Sequence, residues 1–496
     1  MSKTGVNWIK AVSREHSPLF IDFFFRSQDR DSALREYGAD YTFGCIHKNG
    51  LDIFISATEF ASIQERIPNS ESDQFRTLRN FAELCEKSSD RHIDFCRELA
   101  QRDECPLIDF LNAYDAELLR HGNYILPIVL MQSMLDALIR EKCSDAADDA
   151  ATAEVLFNDI QHTSRIAPEA ASVIELLKLA RKLEGDGVAI TFFENPDPLH
   201  VIANLPSKAP QSWLLIEDYV RDFGWSSQMY FRGDLLTEWE TIDRVGKAIA
   251  RGTRDRLAEI ANLAADASGR KAAALDILRK QNRKTAEAVD TLTETYLFLR
   301  SYRLDAFFIG YASLAERFAE IGAKIGIDYC DIPLLTMKEL KVAVSGDLGQ
   351  SELRKIADSR RAGFEVQMLD GVTAWTENWQ AQPSDLETAD SVSGIGTFPG
   401  IVSGDAFVLL RNEDRLGMPD EAIIVTSMTT PSLMVAVEKA SGIVTDEGGI
   451  LSHAAIVSRE LGIPCVIGTG NATRVFRTGE RVTLDSHEGT VRRVIA

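Results

Sequence analysis

One of the chain's eight histidines, His453, stands in the run "GGILSHAAIVSREL", a setting in which an imidazole could do chemistry. Gly448 and Gly449 permit a tight turn and the close approach of a bulky charged group. Ser452 is a good helix N-cap, which leaves His453 at the first helical position. Unpaired backbone N–H groups and the positive end of the helix dipole then lie beside the ring. Such a site favours an anion, above all phosphate. A neutral imidazole can attack phosphorus and hold the phosphoryl group as a phosphoramidate, splitting one transfer into two. The plain alternative is a capping or surface histidine. His16, His47, His92, His121, His162, His200 and His487 fall in loops or on helix faces without metal-ligand spacing, so no metal site is expected. His487 in "LDSHEGTV" reads as a turn residue between the last two strands.

The elements around His453 are short and β-rich. "DAFVLL", "AIIVTS", "GIVTD", "PCVIG", "RVTLD" and "TVRRVI" alternate with two helical patterns, "SLMVAVEKA" and "SHAAIVSREL". Residues 394–496 are therefore expected to form an α/β unit. The polar stretch 376–393 before it has the composition of a linker and a hinge. Residues 71–375 carry apolar positions at three- and four-residue spacing and read as a large helical body, whose last helix is "SELRKIADSRRAGFEVQML". Residues 1–70 read as a small α+β cap, with "LFIDFFF" as a buried strand or helix turn. Lys48-Asn49-Gly50 joins a hairpin there. The fold class expected is multidomain α+β.

Composition narrows the partners. The chain has 496 residues, a formal net charge of −21 and a sequence pI of about 4.9, which argues against a nucleic-acid binder. Seven cysteines without a CxxC pair, and an N-terminus without a signal peptide, read as reduced thiols in a cytoplasmic protein. No apolar run is long enough to cross a membrane.

From "SGIGTFPGIVSGDAFVLL" onward the chain resembles the swivelling phosphohistidine domain of the PEP-utilising enzymes. That family includes PEP synthase, pyruvate phosphate dikinase and the rifampicin phosphotransferases. The motifs follow in order: a G-x-x-x-x-P-G-x-x-x-G-x-A opening over 394–406, "TTP" at 429–431, "GIVTDEGGILSHAAIVSRELGIPCVIGTGNAT", and "TGERVTLDSHEGTV". The resemblance implies a β/β/α swivelling fold in which His453 is phosphorylated. By the same resemblance Gly448, Gly449, Ser452 and Arg459 shape the phosphate site. Leu451 stands where plant-type dikinases carry a regulatory threonine. In the helical body, "YVRDFGWSSQMYFRGDLLTEWETIDRVGKAI" and "FAEIGAKIGIDYCDIPLLTMKEL" are similar to the central, acceptor-holding domain of the shorter relatives. Ser226 and Ser227 replace the histidine expected after "FGW".

Full-length relatives begin with an ATP-grasp module that loads the histidine. Here no Gly-rich loop followed by Lys and no paired-carboxylate metal site is legible. The expectation is a phosphotransferase subunit that binds no cofactor itself. A separate ATP-grasp protein holding ATP and Mg2+ would load His453 and release AMP and phosphate, an arrangement with a precedent in the subunits of phenylphosphate synthase. The acceptor would be a small hydroxylated molecule in the helical domain, with Arg300, Arg303 and Asp305 of "YLFLRSYRLDAFF" as its candidate contacts. The alternatives are a stand-alone PEP-dependent phosphotransferase and a binding or regulatory protein that retains the histidine domain.

Overall fold

A computed structural model describes residues 8–13, 16–29, 45–48, 52–56, 71–102, 104–194, 197–228, 231, 234–250, 252–369, 372–377, 389–410, 417–429, 433–437, 439–446 and 453–494. Most of it is a large helical body, followed by a C-terminal domain built on a mixed sheet. The chain divides into two compact units. One comprises Met1–Ala167, Tyr230–Arg232 and Ala267–Ala381. The other comprises Pro168–Met229, Gly233–Asp266 and Gln382–Ala496.

The helices of the body begin with α1 Pro18–Asp29, α2 Glu71–Ala100, α3 Leu107–Gly122, α4 Ile125–Ala146 and α5 Ala150–Ile160. They continue with α6 Pro168–Glu184, α7 Ile190–Phe193, α8 Pro198–Lys208, α9 Pro210–Phe223, α10 Glu238–Ala250 and α11 Thr253–Gln281. The last are α12 Arg283–Ser313, α13 Ala315–Ile325, α14 Met337–Ser345 and α15 Gln350–Ala362. Side chains set several of these boundaries. Asn282 caps α12 by accepting from Lys284 N at 3.0 Å and Thr285 N at 3.2 Å. Thr336 and Glu339 form a reciprocal capping box at the start of α14. A left-handed Gly326 ends α13.

In the first unit α12 lies along α2. The run "LFIDFFF" is α1, and its rings fill the core: Phe23 stands 4.9 Å from Phe307 of α12, and Phe231 stacks on Tyr311 at 4.4 Å. Asp22 within that run is held by Arg26 at 3.0 Å and by the Met337 N–H at 3.2 Å. This meets the requirement that a buried charge be partnered.

Five antiparallel strands complete the unit: β1 Trp8–Ser13, β2 Cys45–Lys48, β3 Asp52–Ser56, β4 Phe364–Leu369 and β5 Val372–Glu377, in the order β1-β3-β2-β4-β5. The expected hairpin is present as β2 and β3, with residues 49–51 outside the described residues. Its sheet is larger than sequence periodicity suggests. The helix read through "SELRKIADSRRAGFEVQML" stops at Ala362. Gly363 then takes a positive φ, and Phe364 onward pairs with β2 in the register His47↔Val366. Phe364 and Val366 alternate with Glu365, and both are buried. Short runs of this kind support either helix or strand until a partner edge is available. β5 extends to Glu377 and β6 begins at Ser391, both inside the stretch read as a linker, and residues 378–388 lie outside the described residues.

The C-terminal sheet has eight strands: β6 Ser391–Ser393, β7 Ile395–Phe398, β8 Ile401–Val408, β9 Ile423–Thr426, β10 Gly442–Thr445, β11 Cys465–Ile467, β12 Arg481–Asp485 and β13 Thr490–Arg493. Their order is β6-β13-β12-β8-β9-β10-β11-β7. β8 to β11 run parallel and the remaining pairings are antiparallel. β6 and β7 occupy opposite ends of the order yet are separated in sequence only by Gly394, so the sheet must curl until its ends nearly meet. Its strands bury both faces. Ile424, Ile443, Cys465 and Ile467 pack with α16 Met434–Val437 and α17 His453–Leu461. Ile423, Val425, Val444 and Val466 pack with α18 Ala472–Val475 and with Val482 and Leu484 of β12.

Candidate functional site

β10 and β11 are parallel neighbours, and the chain between them passes through α17. Such a crossover sets the start of its helix at the carboxyl edge of the sheet, where open α/β sheets take their ligands. α17 begins at His453. Ala454, Ala455 and Val457 bury its inner face against the sheet. Ser458, also buried, donates to Ala455 O at 3.0 Å and shares a 3.1 Å hydrogen bond with Thr397 Oγ1 of β7. The helix closes where Ile463 N donates to Ser458 O at 2.8 Å, with Gly462 at φ +65°. Gly448, Gly449 and Ser452 lie outside the described residues, and what is described of His453 and Arg459 is their place in α17.

A set of buried polar side chains lines the same edge. Thr426 ends β9 with Ser427 and Thr429 just after it, Thr445 ends β10, and Thr469 and Thr473 follow β11. Asp446 stands among them. Its Oδ1 accepts from Thr473 N at 3.1 Å and from Thr469 Oγ1 at 3.2 Å, and its Oδ2 accepts from the Thr473 hydroxyl. Burial pushes this carboxyl above its ordinary range, and the hydrogen bonds from Thr473 and Thr469 offset part of the rise. Sequence reasoning quoted the stretches that hold these residues, "TTP" among them, without giving the residues a role. The available signal was a Thr or Asp at the end of successive parallel strands.

Among the acceptor candidates, Arg300 is exposed whereas Arg303 and Asp305 are buried. The Arg303 guanidinium donates to backbone carbonyls, to Ile125 O at 3.1 Å and to Leu299 O and Arg300 O on its own helix. The three residues therefore do not share one face of α12. Among the described residues no group of three or more His, Cys, Asp or Glu side chains is placed to hold a metal ion. No described helix is long and apolar enough to cross a membrane.

Two histidines assigned above to loops or helix faces prove to be core residues. His92 of α2 and His121 of α3 stack at 4.9 Å between ring centroids, both without solvent exposure. His121 Nε2 donates to Arg303 O at 3.0 Å, and its Nδ1 lies 3.0 Å from Ser88 Oγ, which itself accepts from Arg120. A carbonyl only accepts, so the proton sits on Nε2 and Nδ1 takes the serine hydrogen. Burial lowers the proton affinity of both rings. The neighbouring His92 ring lowers His121 further, and Glu117 restores part of it for His92.

The unfolded chain therefore binds protons below about pH 6.5 that the folded chain refuses. The contribution of these rings is fully present above about pH 6.5 and is lost as pH falls. The loss per pH unit grows as the rings, protonated in the unfolded chain, stay neutral in the fold. Urea midpoints at about pH 7.5 and 5.5 check this, and equal midpoints would mean that the rings titrate normally in the fold.

Residues 418–489 match the family described as PEP-utilising enzyme, mobile domain. A probable phosphoenolpyruvate synthase of Methanothermobacter thermautotrophicus is 50% identical over 102 residues, which is 20% of this chain and 15% of the relative. The phosphoenolpyruvate synthase of Pyrococcus furiosus is 44% identical over 129 residues, 26% of this chain and 16% of the relative. The chain matches only about a sixth of the length of these relatives. An NMR solution structure of Enzyme I aligns over 68% of this chain and 83% of its own at 14% identity, with a TM-score of 0.18. The matched residues include the β9–α16–β10 and β10–α17–β11 crossovers, and His453 begins the helix of the second. Phosphohistidine chemistry is the family property that this placement fits.

Proposed function

We propose that the protein is a phosphotransferase in which His453 exchanges a phosphoryl group with phosphoenolpyruvate and passes it to a small acceptor. The observation that carries this reading is the position of His453. It begins the crossover helix at the carboxyl edge of a parallel sheet, inside a segment up to 50% identical to phosphoenolpyruvate synthases. In the loading step a neutral imidazole nitrogen attacks phosphorus. A P–N bond forms, the P–O bond to the enol oxygen breaks, and the enolate takes a proton at carbon to become pyruvate. Backbone N–H groups at the start of α17 suit the charge that builds on the phosphoryl oxygens.

The names of the relatives support phosphoenolpyruvate as the donor over ATP supplied through a separate ATP-grasp protein. The experiment is incubation of the full chain with phosphoenolpyruvate, followed by intact mass and pyruvate assay. One phosphate, stable in alkali and labile in acid, with one equivalent of pyruvate is the expected result. Loading only from ATP with an added ATP-grasp protein would transfer the donor role to that partner. Loading under neither condition would remove the phosphotransferase reading.

A further inference from the structure

Asp446 has a place in this chemistry that the phosphohistidine motif does not assign. Six residues, 447–452, separate it from His453, so the chain leaves the end of β10 at Asp446 on its way to the helix that begins at His453. The departure point is tied down on all sides. Asp446 N donates to Thr426 O of β9 at 3.1 Å, and Asp446 O accepts from Gly470 N at 2.9 Å. Just before it, Thr445 O accepts from both Thr469 N and Thr469 Oγ1 at 3.0 Å. The carboxyl group adds the bonds from Thr469 and Thr473 described above, joining the end of β10 to the turn that follows β11. At the far end of the same connection, the Ser458–Thr397 hydrogen bond fixes α17 to β7.

We propose that Asp446 is a positioning residue, which holds the end of β10 against the chain that follows β11 so that His453 meets the phosphoryl donor in one geometry. This rests on the phosphotransferase reading above. The physical reason is the steep dependence of transfer on alignment, in which a displacement of about 1 Å costs on the order of a hundredfold in rate. Asp446 acts through the backbone it anchors, so its role lies in shape rather than charge. A carboxyl that burial pushes upward, among hydroxyls and a backbone N–H, suits a geometric clamp better than a charged catalyst.

That distinction gives the test. Asparagine keeps the Oδ1 acceptor and can donate from its amide nitrogen to the Thr473 hydroxyl, which both accepts and donates. Initial rates of His453 loading would be measured on the full chain with labelled phosphoenolpyruvate across about pH 5.5–8.5. Asp446→Asn is expected to load within about threefold of the wild type with an unchanged pH profile. Asp446→Ala should lose about tenfold or more in rate at saturating donor, with KM nearly unchanged. Thr473→Val, which keeps the carboxyl and removes a donor to it, should lose several-fold and serves if the alanine variant does not fold. Full activity of the alanine or valine variant would overturn the clamp, and so would an asparagine variant as slow as alanine. If the wild type itself takes no phosphoryl group from phosphoenolpyruvate, or from ATP with an ATP-grasp protein, the parent reading falls and the clamp with it.

Discussion

Replacing His453 by alanine is expected to abolish phosphoryl uptake from every donor while leaving the fold intact. The chemistry needs an unprotonated nitrogen lone pair at the start of α17, and alanine supplies none. The histidines whose surroundings are described are poorly placed to substitute. His16, His92, His121 and His162 are buried, while His200 lies exposed on α8 and His487 on the turn between β12 and β13. Alanine also has the higher helix propensity, so the expected stability change is within about 0.5 kcal/mol. Intact mass with peptide mapping reads the first part and circular dichroism the second. Phosphate retained on the folded variant would place the carrier elsewhere, and a label on His200 or His487 would expose it as incidental surface chemistry.

The second large effect is structural. Gly396→Ala in β7 should destabilise the C-terminal domain by roughly 3 kcal/mol or more. A Cβ added there would stand 1.7 Å from Ser486 O, a backbone atom that cannot rotate away. Ser486 has little freedom to retreat, because its N–H and its hydroxyl both donate to Gly400 O, at 3.1 and 2.9 Å. On the other side Gly394 N donates to Gly489 O at 2.8 Å, tying β6 to the same turn. The glycine-rich opening motif is thus explained by a backbone crossing where the two ends of the curled sheet meet. Hydrogen exchange on the full chain, following the β7 and β12 amides, separates this domain from the helices. Wild-type protection in the alanine variant would show that the crossing relaxes without cost.

Much of the architecture was legible in the pattern of residues. Helical spacing over the body and strand-length runs near the C-terminus identify the two classes of element, because period and burial are coupled within a single helix or strand. The histidine helix announces itself locally, since "SHAAIVSREL" carries its own apolar face, and "LFIDFFF" in α1 declares its burial by composition. The motifs around His453 also carry the family match, because they lie within the residues 418–489 that match it.

What local pattern could not supply is pairing across the chain. "FEVQML" continues a helical run as easily as it begins a strand, and only the free edge of β2, more than three hundred residues earlier, decides between them. The polar faces of α2 and α3 gave no sign that His92 and His121 would be stacked and sealed, since a helix reports its own periodicity and not what its neighbours cover. Arg303 looked available for a ligand beside its aromatics, yet the carbonyl of Ile125 claims its guanidinium. Asp446 is one carboxylate among many in the sequence. Its contacts come from β11 and α18 folding back beside β10, which brings Thr469 and Thr473 to the carboxyl group at the end of β10. The residue proposed to carry the phosphoryl group was thus readable from short-range sequence, whereas the contacts proposed to aim it depend on strand order, which no window of residues contains.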